Sequence, residues 1–155
     1  MTEEGTMTRG YFEIGVYHVK SKCNIGTLWR SAYQLGAAGI FTIGRRYTGQ
    51  ASNTCKAERH IPLRHYTDWE EFCVGRPLGA QLVGIEMGGR SLSTFTHPQR
   101  AIYLLGAEDH GLPDGIIRHC QHVVSLDAVR QASYNVSVAG SIVMYHRQFM
   151  REAVL

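Results

Sequence analysis

Three short segments carry side chains whose types and spacing suit chemistry. Asn24-Ile25-Gly26-Thr27-Leu28-Trp29-Arg30 sets an amide and a guanidinium six residues apart. Gly106-Ala107-Glu108-Asp109-His110-Gly111 sets a carboxylate between two glycines. Ser133-Tyr134-Asn135-Val136-Ser137 sets a hydroxyl and an amide at the start of an apolar run. Six residues are about 1.7 helical turns, so Asn24 and Arg30 diverge if a helix begins at Asn24 and can share a cleft if Asn24 lies in the preceding loop. Gly106 and Gly111 allow positive φ and close approach of backbone to a ligand. Ser133 or Asn135 can cap the helix that follows, and such a start gathers side-chain and backbone donors in one place. The same arrangement serves any buried helix start.

The elements that must hold these segments alternate between strand and helix. Phe12–Val19 reads as a strand, followed by a helix capped by Asn24, running to Leu35 and ended by Gly36 as a C′ glycine. Gly39–Ile43 completes a parallel strand–helix–strand unit. Gly44–His60 is the longest irregular stretch, and loops of that length in compact domains are usually functional or mobile. Leu63–Tyr66 reads as a short strand, Asp68 as the cap of a helix to Val74, and Gln81–Glu86 as the next strand before a polar segment, Gly88–Gln99. Ala101–Leu105 is continuously apolar, as in a strand buried on both faces. It runs directly into the Gly106 loop. A short helix capped by Asp114, a strand at Val123–Leu126 and a helix from Asn135 to about Arg151 finish the chain, with Val136, Ala139, Ile142 and Val143 on one face. The class is α/β with a mainly parallel sheet flanked by helices, and each of the three segments stands at a strand's carboxyl end or a helix start, where open α/β sheets bind ligands.

Composition narrows the function. The 155 residues suit one domain, with residues 1–9 expected to be frayed. Sixteen Lys and Arg against thirteen Asp and Glu make the chain mildly basic, which permits a nucleic-acid partner without requiring one. Arg45-Arg46-Tyr47 is the best local candidate for a phosphate-plus-stacking contact, and equally suits a solvated loop. Arg9, Lys20, Lys22, Arg59 and Arg64 could extend a positive surface. Cys23, Cys55, Cys73 and Cys120 are dispersed, with no CxxC and no secretory signal, as expected of reduced thiols in a cytosolic protein. No apolar run reaches the ~20 residues that span a membrane. P-loop and dinucleotide glycine motifs, HExxH and GxSxG are all absent. His119, Cys120 and His122 cluster without a second ligand pair, so no metal is expected.

In this order, the three segments resemble the signature motifs of the SpoU (TrmH-type) branch of the SPOUT superfamily of RNA methyltransferases. Asn24 to Arg30 resembles the Asn-x5-Arg motif, Gly106, Glu108 and Gly111 the Gly-x-Glu-x-x-Gly motif, and Ser133 to Ser137 the Ser-Leu-Asn-Val-Ser motif. The resemblance covers nearly the whole chain and implies a minimal, single-domain member. It implies transfer of a methyl group from S-adenosyl-L-methionine to a ribose 2′-hydroxyl of tRNA or rRNA. It also implies a C-terminal deep trefoil knot over roughly Leu104 to Val143, a homodimer that completes the active site, and a cytoplasmic setting.

The implied cofactor contacts are Leu105, Gly106, Glu108, Gly111, Leu126, Tyr134 and Val136. The implied catalytic set is Arg30, Asn24, Ser133 and Asn135, and Arg45, Arg46 and Lys22 are candidate RNA contacts. Arg30 would activate the hydroxyl as a base or, with its pKa above ~12, hold phosphate and stabilise the forming alkoxide. Glu108 would anchor the cofactor loop or pair with a cation. Two departures stand out. The turn Ser125-Leu126-Asp127-Ala128-Val129 lacks the proline frequent in relatives, and Tyr134 replaces the usual Leu with a phenol whose hydroxyl needs a partner. A non-catalytic RNA- or cofactor-binding module of the same fold is the alternative.

Overall fold

A computed structural model describes residues 10–47 and 60–150. Cys55, Arg9, Arg59, most of the expected long loop and the last residue of the expected final helix lie outside them. Among the described residues, six parallel strands form one sheet in the order β3-β2-β1-β5-β4-β6. They are β1 (Tyr11–Tyr17), β2 (Ile40–Ile43), β3 (Leu63–Tyr66), β4 (Gln81–Ser91), β5 (Arg100–Leu105) and β6 (His122–Ser125). The helices among the described residues that cover the sheet's faces are α1 (Lys22–Gln34), α2 (Trp69–Gly75), α3 (Asp114–Ile117) and α4 (Val136–Phe149). None is long and apolar enough to cross a membrane.

Alternation along the strands splits the core in two. Phe12, Ile14, Val16, Tyr103 and Leu105 face one layer with Leu28 of α1 and Val143 of α4. Phe41, Ile102 and Leu104 face the other with Phe72 of α2 and Ile116 of α3. β5 is buried on both sides because it is central in the sheet and covered on each face, as its apolar run predicts. Gly36 takes φ +88° after α1, as expected of a C′ glycine.

Several boundaries differ from expectation for identifiable reasons. The cap of α1 is Ser21, whose hydroxyl accepts from Asn24 N, so Asn24 sits in the first turn of the helix. Asp114 likewise lies inside α3, after Pro113, and makes no cap hydrogen bond. β4 continues through the polar segment to Ser91 because its pairing with β6 breaks after Ile85 and resumes at Arg90, a bulge that period-two reading cannot span. Leu92–Thr94 then forms a 3-10 turn.

One polar cluster lies deep in the first layer. Arg147 is fully buried and donates to the carbonyls of Pro98 (2.7 Å) and Gln99 (2.9 Å) and to the Tyr103 hydroxyl (3.0 Å). That hydroxyl has its single proton left for His97 Nδ1 at 2.6 Å, so His97 Nε2 donates to His146 Nδ1 at 2.8 Å. The chain of donors runs one way only if His97 is neutral. Burial, with His146 and Arg147 adding to it, pushes the His97 pKa down to about 3. The unfolded chain therefore binds a proton near pH 6.5 that the folded chain refuses. Stability is complete above pH 6.5 and falls on acidification towards pH 3, by on the order of several kcal/mol. Urea midpoints measured across that range should decline with falling pH, and His97→Gln should flatten the decline.

Candidate active site

The order of strands reverses beside β1: β2 and β3 extend one way, while β5, β4 and β6 extend the other. A crevice at the carboxyl ends of strands is expected at such a switch point. The connections leaving β1 and β5 meet there. Glu108, after β5, accepts from the backbone N–H groups of Lys20 and Ser21 (both 3.2 Å) and from Asn24 Nδ2 (3.1 Å). Asn24 Oδ1 in turn accepts from Asn135 Nδ2 at 3.0 Å. Asn135 Oδ1 caps α4, accepting from Ser137 N (2.9 Å), Val138 N (3.2 Å) and Ser137 Oγ (2.7 Å). The three segments, up to 111 residues apart, thus form one hydrogen-bonded relay.

The carboxylate dictates the direction of that relay. Burial alone would raise the Glu108 pKa. The backbone N–H groups of Glu108 itself, Lys20 and Ser21, together with the Asn24 side chain, outweigh burial and hold the carboxyl below its usual range. An ionised carboxylate only accepts, so the NH2 of Asn24 must face it and the oxygen of Asn24 must face Asn135. Asn135 must then donate on that side and accept on the other, which an amide does and a carboxylate cannot. Glu108 thus joins the β5 loop to the start of α1, and no cation pairs with it among the described residues. Lys20 Nζ instead pairs with Asp109 at 3.0 Å, so it is not a free phosphate ligand.

A clean separation of capping from relay follows. Asn135→Asp keeps the oxygen that caps α4 but sets a second oxygen against Asn24. Flipping Asn24 only moves the clash to Glu108. The variant should lose at most about 1 kcal/mol in thermal unfolding, whereas Asn135→Ala should lose about 1–2 kcal/mol with the cap. Both should weaken function by about five- to 150-fold, since one broken link costs roughly 1–3 kcal/mol. Equal activity of Asn135→Asp and wild type would sink a functional role for the relay.

Beside the relay lies a cavity of about 270 Å³. Leu105, Gly106, Glu108, Gly111, Leu126, Tyr134 and Val136 all line it, as does Ser133. Its loop is tightly closed: Gly111 N donates to Ala107 O at 2.9 Å. A Cβ on Gly106 would stand 2.2 Å from the carbonyl carbon of Gly111. Gly111 has φ +65°, and its Cβ would stand 2.3 Å from the Glu86 carboxylate. The two departures noted in the sequence meet on the far wall. The Tyr134 hydroxyl donates to Asp127 O at 2.6 Å, and Ser91 Oγ donates to the Asp127 carboxylate at 2.5 Å. Side chains thus pin the turn that lacks proline. Glu86 also lines the cavity and was missed in the sequence. Its signal was an acidic residue at the carboxyl end of a predicted strand.

Other candidates fall elsewhere. Arg30 is exposed on α1, is not part of the cavity wall and has no partner among the described residues. With Asn24 inside the helix, the two side chains diverge by roughly a third of a turn over ~9 Å. Arg45, Arg46 and Lys22 are exposed. Tyr47 packs against Trp29 in a T-shaped pair, with ring centroids 5.9 Å apart. Arg64 lies 3.9 Å from Glu13 and is committed there. His119 Nδ1 contacts Gly115 O and His122 Nε2 contacts Gln81 Oε1; no metal-binding cluster occurs among the described residues.

Comparison with known proteins bears on the fold and the family. An uncharacterized tRNA/rRNA methyltransferase of Archaeoglobus fulgidus is 28% identical over 145 residues, 90% of this chain; the chain spans 65% of that relative's length. The crystal structure of an AdoMet-bound rRNA methyltransferase from Sinorhizobium meliloti matches with a TM-score of 0.81 at 24% identity, over 93% of this chain and 58% of that one. A structure described as giving insights into the 2-OH methylation of C/U34 on tRNA matches with a TM-score of 0.78 at 22% identity, over 92% of this chain and 99% of that one. These structures share the parallel α/β fold. The model of the SpoU rRNA methylase family matches residues 11–145, which include all three segments of the relay, and the chain belongs to that family.

Proposed function

We propose that the protein is an S-adenosyl-L-methionine-dependent RNA methyltransferase acting on a ribose 2′-hydroxyl of tRNA or rRNA in the cytoplasm. The observation that carries this reading is the Glu108–Asn24–Asn135 relay beside a cavity walled by Gly106, Leu126 and Tyr134. The residues fit the cofactor. Apolar Leu105, Leu126, Val136 and the Tyr134 ring suit a flat heterocycle, and the glycine-closed loop leaves no room for competing side chains. S-adenosyl-L-methionine, when bound, supplies an electrophilic methyl on a sulfonium. The chain's task is alignment and stabilisation of the hydroxyl oxygen as its proton leaves.

In this reading Glu108 locks the cofactor loop to α1, and Asn24 and Asn135 fix the start of α4 against it. Ser133, on the cavity wall, orients the ribose. Arg30 holds phosphate and stabilises the developing oxyanion; a guanidinium does this without losing its proton. Arg45, Arg46 and Lys22 bind backbone phosphates and set the register of the RNA.

Arg30 stands off the cavity of its own chain, so we assign its action to the cavity of a second copy in a homodimer. An apolar groove of about 500 Å³ between α1 and α4 supports this. Val138 and Tyr145 on its wall are 47% and 57% exposed, apolar surface that a second copy would cover. The stretch from Leu104 to Val143 would carry the trefoil knot, an exception to the rule against threaded loops, and residues 1–155 would act as one domain.

The test is mass spectrometry of nucleosides from tRNA and rRNA of a strain lacking the gene, followed by in vitro methylation of the same RNA. One missing 2′-O-methylated nucleoside, restored by the purified protein, is expected. Normal methylation of every RNA alongside tight RNA or cofactor binding would leave the non-catalytic module as the correct reading.

A further inference from the structure

Among the residues lining the cavity, Glu86 is the one charged side chain outside the three motif segments. It ends the regular part of β4, where the register with β6 breaks before Arg90. Bulges beside sites commonly re-aim a side chain. Its Oε2 accepts from Leu112 N at 2.7 Å and its Oε1 from Met87 N at 3.0 Å. No Lys, Arg or His among the described residues pairs with it. The carboxylate is therefore held rigid by two backbone donors, lacks a counter-charge, and lines the cavity with lone pairs to spare.

We infer that Glu86 accepts the vicinal ribose hydroxyls of the cofactor and so selects an intact nucleoside; this rests on the methyltransferase reading above. Two fixed carboxylate oxygens match two adjacent hydroxyl donors, and a built acceptor rejects a ligand that lacks them. Position separates the ribose from the cofactor's ammonium as the partner. Across the carboxyl edge the order is β1, β5, β4, β6. The relay sits at β1 and β5, whereas Glu86 sits at β4, one strand spacing beyond β5 and two beyond β1, roughly 5 and 10 Å. The same cavity carries Ile85, Leu126 and Val136, the apolar surface suited to the base. The ribose joins the base to the reacting end and so falls beside Glu86.

Calorimetric titration of wild type and Glu86→Gln with three ligands tests this. S-adenosylhomocysteine carries diol and ammonium, 5′-methylthioadenosine carries the diol alone, and 2′,3′-dideoxy-5′-methylthioadenosine carries neither. Glu86→Gln should bind the first two about tenfold more weakly and the third unchanged. Equal weakening of all three makes Glu86 only a staple for the Leu112 loop and overturns the assignment. Weakening confined to S-adenosylhomocysteine makes the ammonium its partner and overturns it too. The wild type supplies an arm that needs no variant: deleting the diol should cost about tenfold, and a cost under twofold overturns the assignment. A wild type that binds none of the three overturns the cofactor reading itself, and this assignment with it.

Discussion

Arg30→Ala should lower methyl transfer by about 10²–10³-fold while leaving the thermal midpoint and the affinity for S-adenosylhomocysteine unchanged. The magnitude is that of removing one preorganised electrostatic donor from a developing oxyanion. The unchanged stability follows from exposure: Arg30 has no partner among the described residues, so its loss leaves nothing unsatisfied. Arg30→Lys should recover little, because a point charge does not reproduce the planar fork. A mixed-variant assay places the side chain. If Arg30 serves the partner's cavity, an Arg30→Ala chain and a Gly106→Ala chain, each inactive alone, should regain activity when unfolded and refolded together. No gain would put Arg30 at its own chain's site or remove it from catalysis. A fall of less than about threefold for Arg30→Ala would dismiss its assigned role.

Gly106→Ala should abolish measurable cofactor binding, a loss of well over tenfold, and cost about 1–3 kcal/mol of stability. The added Cβ would sit 2.2 Å from the Gly111 carbonyl carbon and 2.5 Å from Leu112 N. Both are backbone atoms, so no rotamer change relieves the overlap and the loop must open. The displaced segment carries Glu108 at one end and the Leu112 N–H that holds Glu86 at the other. The relay and the cavity wall would therefore move together. Titration with S-adenosylhomocysteine and a thermal melt decide it. Gly115→Ala is the matched control, because its Cβ meets nothing within 4 Å and the site is untouched.

The fold was legible where burial and turn chemistry agree. Ala101–Leu105 reads as a central strand because both its faces are covered, and Gly36 reads as a helix end because positive φ there costs glycine little. Caps were less legible: Ser21, Asn24, Pro113 and Asp114 are all plausible starts, and only the path of the chain into each helix selects among them. The bulge in β4 was hidden because two unpaired turns of alternation look like a loop.

The residue types of the site were written in the chain, since glycines, a carboxylate and two amides at fixed spacings constrain local geometry wherever they occur. Their connections were not. That Glu108 grips the start of α1, that its charge orients Asn24 and through it Asn135, and that Tyr134 pins the turn lacking a proline are contacts across 84, 111 and 7 residues. The same holds for Glu86, whose carboxylate meets a loop 26 residues away. The elements and the chemically able residues can be read along the chain, because propensity, periodicity and turn chemistry act over a few neighbours. Which of those residues meet, in which hydrogen-bond direction, and which, like Arg30, stand apart is set by packing between segments distant in the chain. A donor finds its acceptor through the packing of a sheet whose strands are ordered in space differently from their order along the chain.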